Sequence, residues 1–145
     1  MECLFLQFNE EWIEFLKDFL EKVKGNLRGK LISEYKDESE DTLSIGVTFE
    51  RPEKNLILNI THNIISLVFD DVKGNTISFT KQIPKDVNYI ILITNEGEIS
   101  LKVSEGKVQG YVTKVFSLLK NTLSLTFKTY KKEEKKETIL FINIY

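Results

Sequence analysis

The chain has 145 residues, 41% hydrophobic and 29% charged, enough for one domain that buries roughly 70% of its unfolded surface. Twenty Lys plus Arg against 22 Asp plus Glu leave a net charge of -2, which gives no overall attraction to nucleic acid or to an anionic membrane. The only cysteine is Cys3, which excludes an intramolecular disulfide and a thiolate metal cage.

The N-terminal stretch "MECLFLQFNEEW" has no basic region ahead of its apolar residues and is interrupted by Gln7, so it reads as a strand over 2–8 and not as a signal peptide. No apolar run reaches the roughly 18 residues needed to span a bilayer. A reducing cytoplasm, or a host cytoplasm if the gene is viral, is the expected setting. Asn9 is a good N-cap, and Glu10 and Glu11 follow it where the helix dipole favours negative charge. Trp12, Phe15, Leu16, Phe19, Leu20 and Val23 then recur at spacings of three and four, which predicts an amphipathic helix ending near Gly25.

Alternation dominates the remainder. In "TLSIGVTFE" Leu43, Ile45, Val47 and Phe49 share one face, and "TISFTKQI" and "EISLKVSE" repeat the period of two expected of strands with one wet face. "VNYIILIT" and "TILFINIY" are apolar on both faces and suit central strands. The segments "RPEKN", "DVKGN", "IPKD", "NEGE" and "SEGK" carry turn chemistry, with Gly74-Asn75 and Glu96-Gly97 as hairpin tips. The spacing of Val112, Val115, Phe116 and Leu119 predicts a short helix near 111–120, although the Val and Thr content there also permits a strand. "YKDESEDTL" (35–43) and "YKKEEKKETI" (130–139) are similar in position and character, which suggests two helix-plus-hairpin units with a meander between them.

The acidic stretch "KDESED" supplies oxygens but neither the glycine nor the ligand spacing of a calcium loop, so a solvated hairpin tip is expected and no metal site. His62, in "NITHN", is the sole histidine; pairing with Asp70 or Asp71 would make it an acid–base group, whereas a turn position needs no chemistry. Arg51, in "FERPEK", is a loop arginine able to make a bidentate contact to carboxylate or phosphate, with Glu50 and Glu53 as local ion-pair partners. Cys3 and Trp12 read as core residues. No P-loop, dinucleotide-binding glycine pattern, nucleophile elbow or zinc-protease motif occurs, and nothing calls for a cofactor.

From 42 to 110 the rhythm of "VNYIILITNEGEISLKVSEGKVQG" resembles a laminin-G or concanavalin-type lectin sandwich, which implies a carbohydrate-binding module. The tryptophan that such domains carry before the first of these strands is missing, and no site is transferred. The order of strand, helix and several strands is also similar to a sliding-clamp domain. The acidic balance of the first helix departs from the basic, DNA-facing helices that this resemblance implies.

The expected fold is mainly β (α+β at the margin). It is a single domain over 1–145, an antiparallel β-sandwich or flattened barrel whose N-terminal helix covers one sheet face. The expected function is a non-catalytic binding protein, in the manner of a small phage-type inhibitor or immunity protein. It would recognise a protein partner or small ligand through loops or a sheet edge. Arg51, His62 and Asn63 are the candidate ligand-binding residues; no catalytic residue, metal, cofactor, nucleic acid or membrane is expected. The alternatives are a lectin-like module and an enzyme using dispersed carboxylates with His62.

Overall fold

The computed structural model describes residues 10–27, 29–39, 42–71, 73–116, 122–132 and 137–145. The strand expected over 2–8, the Asn9 cap and the Trp12 side chain lie outside what it describes. Helix α1 spans Glu10–Asn26, as the three-four spacing requires, and buries Phe15, Leu16, Phe19 and Val23. Its end is marked by Asn26, whose side-chain amide donates to the Lys22 carbonyl at 2.8 Å, satisfying one of the acceptors that a helix leaves open.

Eleven strands follow among the described residues: β1 (Lys30–Glu38), β2 (Thr42–Glu50), β3 (Asn55–Thr61), β4 (Ile64–Asp70), β5 (Thr76–Gln82), β6 (Tyr89–Thr94), β7 (Gly97–Ser104), β8 (Lys107–Val108), β9 (Tyr111–Phe116), β10 (Thr122–Lys132) and β11 (Glu137–Ile144). They form a seven-stranded sheet in the order β1-β2-β10-β11-β6-β7-β8 and a four-stranded sheet in the order β5-β4-β3-β9. The pairing of β6 with β11 is parallel, whereas the other paired strands run antiparallel. The result is a two-sheet sandwich in one domain. The flattened-barrel alternative does not hold, because the two sheets do not join into one closed ladder.

Alternate residues of the strands inside the sandwich fill the space between the sheets. Leu43, Ile45, Val47 and Phe49 of β2 and Leu123, Leu125 and Phe127 of β10 meet Leu56, Leu58 and Ile60 of β3 and Ile65, Leu67 and Phe69 of β4 in one buried core. The helix closes one side of this sandwich instead of lying flat on a sheet. It touches β2 in one sheet and β5 in the other. Phe19 stacks on Phe127 with ring centroids 5.3 Å apart and meets Phe79 of β5 edge-on at 5.5 Å. Asp18 binds Lys81 of β5 at 2.7 Å across the same seam.

The second helix expected near 111–120 is a strand over Tyr111–Phe116, while 117–121 lie outside the described residues. Val112 and Phe116 satisfy a helical spacing and a strand alternation equally well. The open edge of β3 decides between them: pairing from Leu56↔Phe116 to Thr61↔Tyr111 satisfies the backbone of β9 and turns Val112 and Phe116 inward. Thr42 pairs with Tyr130, so the strand ends that flank the two charged stretches lie at the same end of the seven-stranded sheet, while 40–41 and 133–136 lie outside the described residues. The second hairpin is preceded by a strand, not a helix, over the described residues.

Candidate interaction surface

Arg51, His62 and Asn63 do not form one site. Arg51 precedes β3 and His62 follows it, so a seven-residue strand, roughly 20 Å at about 3.3 Å per residue, separates them. Both adopt left-handed backbone, with φ of 52° in each case, a conformation that costs a non-glycine residue about 1–2 kcal/mol. Each sits at a sharp reversal that its neighbours hold in place. Arg51 lies in the loop whose Pro52 backbone packs against Gly29, where an added Cβ would come within 2.7 Å of Pro52 Cα. Next to it, the Glu53 N–H donates to the Leu27 carbonyl at 3.0 Å. The carboxylate of Glu50 reaches Lys30 at 3.9 Å.

His62 and Asn63 form the two-residue turn between β3 and β4, with the His62 side chain exposed. The His62 carbonyl accepts from the Val108 N–H at 2.7 Å, and the Asn63 carbonyl accepts from the Ile83 N–H at 2.8 Å. The turn therefore ties β8 and the segment after β5 to the end of the four-stranded sheet through its main chain. Asp70 pairs with Asn55 at the far end of β4, a strand length away from the histidine, so the His62–Asp70 or His62–Asp71 acid–base pair is not assembled. Asp71 has a local task instead. Its carboxylate accepts from the Asn75 N–H at 2.9 Å, from the Asn75 side-chain amide at 3.0 Å and from the Lys73 N–H at 2.9 Å. These bonds, those from Asn75 foremost, together with nearby Lys54, hold it below its ordinary pKa against the opposing effect of desolvation.

The strand registers bring together a surface that no single segment announces. On the outer face of the four-stranded sheet, Val115, Ile57, Val68 and Ser78 lie in one cross-strand row. Thr113, Asn59, Ser66 and Thr80 form the next row, and Tyr111, Thr61, Ile64 and Gln82 the one beyond. The Ser66 and Thr80 hydroxyls hydrogen-bond across it at 3.0 Å. Among the described strand residues of this face Asp70, at one corner beside Asn55 and Thr76, is the single charged one, in a chain that is 29% charged. Tyr111 is 76% exposed and Val115 62% exposed at its β9 margin.

A second feature lies at the helix. An open groove of about 390 Å³ runs between α1 and β1 with Ile45 in its floor, Lys17, Leu20 and Glu21 on one wall and Glu34, Tyr35 and Lys36 on the other. Lys24 bridges the two walls, 3.5 Å from Glu21 and 3.4 Å from Glu34. Desolvation lowers the pKa of Lys24, but the hydrogen bond to Glu34 and the attraction of both carboxylates outweigh it and leave the net shift upward. Among the described residues no cluster of three or more histidine, cysteine or carboxylate side chains converges as a metal site would require, and no helix is long and apolar enough to cross a membrane. Comparison with protein-family models, with curated proteins and with solved structures finds no match for the chain.

Proposed function

We propose that this protein is a non-catalytic binding protein and that the outer face of its four-stranded sheet receives a protein partner. The observation that carries the reading is the absence of charge across three consecutive cross-strand rows of that face. A solvated sheet face ordinarily carries interspersed Lys, Glu, Asp and Arg, which are strongly hydrated and resist burial. Depletion of charge around a few apolar side chains is the composition of the centre of a protein–protein interface. Here Ile57, Val68, Val115 and Ile64 supply the apolar contacts. Threonine, serine, asparagine and glutamine supply hydrogen bonds whose burial costs far less than that of ions.

The reading is tested by placing charge in the middle row. Thr113→Glu and Ser66→Lys leave the inward residues untouched, so both variants should fold with near wild-type melting behaviour. Protein captured from the native cell or host lysate by wild type, and confirmed to bind in purified form, should bind either variant at least tenfold more weakly, about 1.4 kcal/mol. Unchanged binding by both folded variants rejects this face as the contact surface. A carbohydrate reading draws on Tyr111 alone, a ring exposed among hydroxyl and amide side chains. It requires that wild type bind a glycan array and that Tyr111→Ala abolish that binding.

A further inference from the structure

We infer that the free edge of β1 pairs with β1 of a second copy, antiparallel and in one register centred on Tyr35, joining two seven-stranded sheets into one. Among the described residues the strand lies at the end of the sheet order and pairs with β2 alone, and all nine of its residues are exposed. Such an edge offers a row of unpaired backbone donors and acceptors, and natural proteins usually defend it with charge. The charges of β1 are arranged as a palindrome. Ser33-Glu34-Tyr35-Lys36-Asp37, read against its own reverse, sets each Glu34 opposite Lys36 of the second copy, each Ser33 opposite Asp37, and Tyr35 opposite Tyr35.

The backbone supports the same register. The Ser39 N–H donates to the Thr42 carbonyl at 2.8 Å, and pairing is regular from Ser33↔Thr48 to Glu38↔Leu43. Tyr35 and Asp37 therefore turn their N–H and C=O groups toward β2, and Glu34 and Lys36 turn theirs to the free edge. In the proposed register Glu34 and Lys36 make the hydrogen-bonded pairs, so four main-chain bonds form between the copies. The two side chains of each such pair are on the same face, because Glu34 and Lys36 lie opposite the inward-facing Val47 and Ile45. Moving the register by one step of side-chain alternation either way sets Glu34 against Glu34 or Lys36 against Lys36, and like charges directly opposite are destabilising.

Tyr35 does not obstruct the approach. Its ring lies back over Gly46, close enough that an added Cβ there would come within 2.7 Å of it. Its hydroxyl is 3.2 Å from Ser44 Oγ and 3.4 Å from Thr126 Oγ1. The ring leans over its own sheet and away from the edge. Charges that would repel a general strand thus admit a second copy in one alignment.

The test is the oligomeric state by sedimentation velocity over a concentration series. Wild type should form a dimer. Lys36→Glu, which sets Glu34 against a second carboxylate at two symmetric positions, should weaken it at least tenfold, about 1.4 kcal/mol. The double reversal Glu34→Lys with Lys36→Glu, made in a Lys24→Gln background because Lys24 lies 3.4 Å from the Glu34 carboxylate, rebuilds the palindrome with opposite sign and should restore the dimer, which also shows that the variants fold. In a Cys3→Ser background, Tyr35→Cys should cross-link two chains under mild oxidation, because Cα atoms in a non-hydrogen-bonded antiparallel pair are only about 4.5 Å apart. The inference is overturned by a wild type that stays monomeric throughout, by a dimer that Lys36→Glu leaves intact, or by failure of the double reversal to restore association. A dimer lost instead in Thr113→Glu would assign self-association to the four-stranded face.

Discussion

Phe19 is the side chain on which the helix and both sheets converge, and its truncation is the sharpest test of the packing. It is fully buried, meets Phe15 edge-on with centroids 4.8 Å apart, stacks on Phe127 of the seven-stranded sheet and meets Phe79 of the four-stranded sheet. Phe19→Ala loses about 1.5–3 kcal/mol of transfer free energy and leaves a cavity besides, so Phe→Ala changes in cores cost about 3–5 kcal/mol in all. Three rings approaching from three elements limit how far the site can collapse, which places this substitution in the upper half of that range. An unfolding entropy of ~2.1 cal/mol/K per residue gives about 0.3 kcal/mol/K for 145 residues, so a loss of ~4 kcal/mol lowers the melting temperature by about 13 °C. Lys17→Ala, on the exposed face of the same helix, should change stability by no more than ~0.5 kcal/mol. Urea denaturation measures both, as a shift in midpoint at constant slope. Comparable small shifts for the two variants would show that α1 is not part of the cooperative core and would refute the reasoning.

Thr129 has a fully buried hydroxyl with no hydrogen-bond partner among the described residues, so Thr129→Val should raise stability by about 1 kcal/mol in the same urea assay; a loss of that size would mean that the hydroxyl is satisfied. Gly46→Ala should cost about 1–3 kcal/mol, because its Cβ would sit 2.7 Å from the Tyr35 ring, 2.9 Å from Thr126 Oγ1 and 3.1 Å from the Leu125 carbonyl. Tyr35→Ala in the same chain should recover only part of that loss, since the Leu125 carbonyl is main chain. The lowered pKa of Asp71 contributes stability that is present above the ordinary carboxylate range and is lost as pH falls through the depressed folded value. An NMR titration of Asp71 should therefore show a midpoint below that of an unperturbed aspartate, and Asn75→Ala should move it upward.

The sequence revealed what is local and periodic. The helix from Glu10 to Asn26 follows from the three-four spacing of Phe15, Leu16, Phe19 and Val23, and the strands at "TLSIGVTFE", "TISFTKQI" and "EISLKVSE" follow from alternation. Central placement of β6 and β11 was legible in runs that are apolar on both faces. Tyr111–Phe116 was misread because its apolar spacing is ambiguous and the arbiter, the open edge of β3, lies about fifty residues earlier in the chain. The separation of His62 from Asp70 is another non-local fact: eight positions in sequence become a whole strand length when β4 runs straight between them. The uncharged face was present in the sequence as alternate residues of four strands. It needed the order β5-β4-β3-β9 before those residues became neighbours.

The unequal size of the two sheets explains why the two proposed contacts fall where they do. Seven strands face four, and the helix fills the seam beside β2 and β5, so β1 overhangs the core. Its helix-side residues Glu34, Lys36 and Glu38 lie opposite Val47, Ile45 and Leu43 of β2, yet they are exposed, whereas those partners are buried. A strand with nothing to bury is free to carry charge on both faces; Glu34 meets Lys24 at 3.4 Å and Lys36 meets Glu38 at 3.7 Å, exposed pairs that contribute little and that a second copy's charges can share. The four-stranded sheet has the opposite arrangement. The inner residues of β3 and β4 are committed to the core, and among the described residues the sheet's outer rows carry no charge except at the Asp70 corner. Association through β1 extends the larger sheet in its own plane and leaves the outer face of the smaller sheet open. The two contacts are therefore compatible in one assembly: a dimer would present two copies of the uncharged face, and a partner with two matching sites would gain avidity from it.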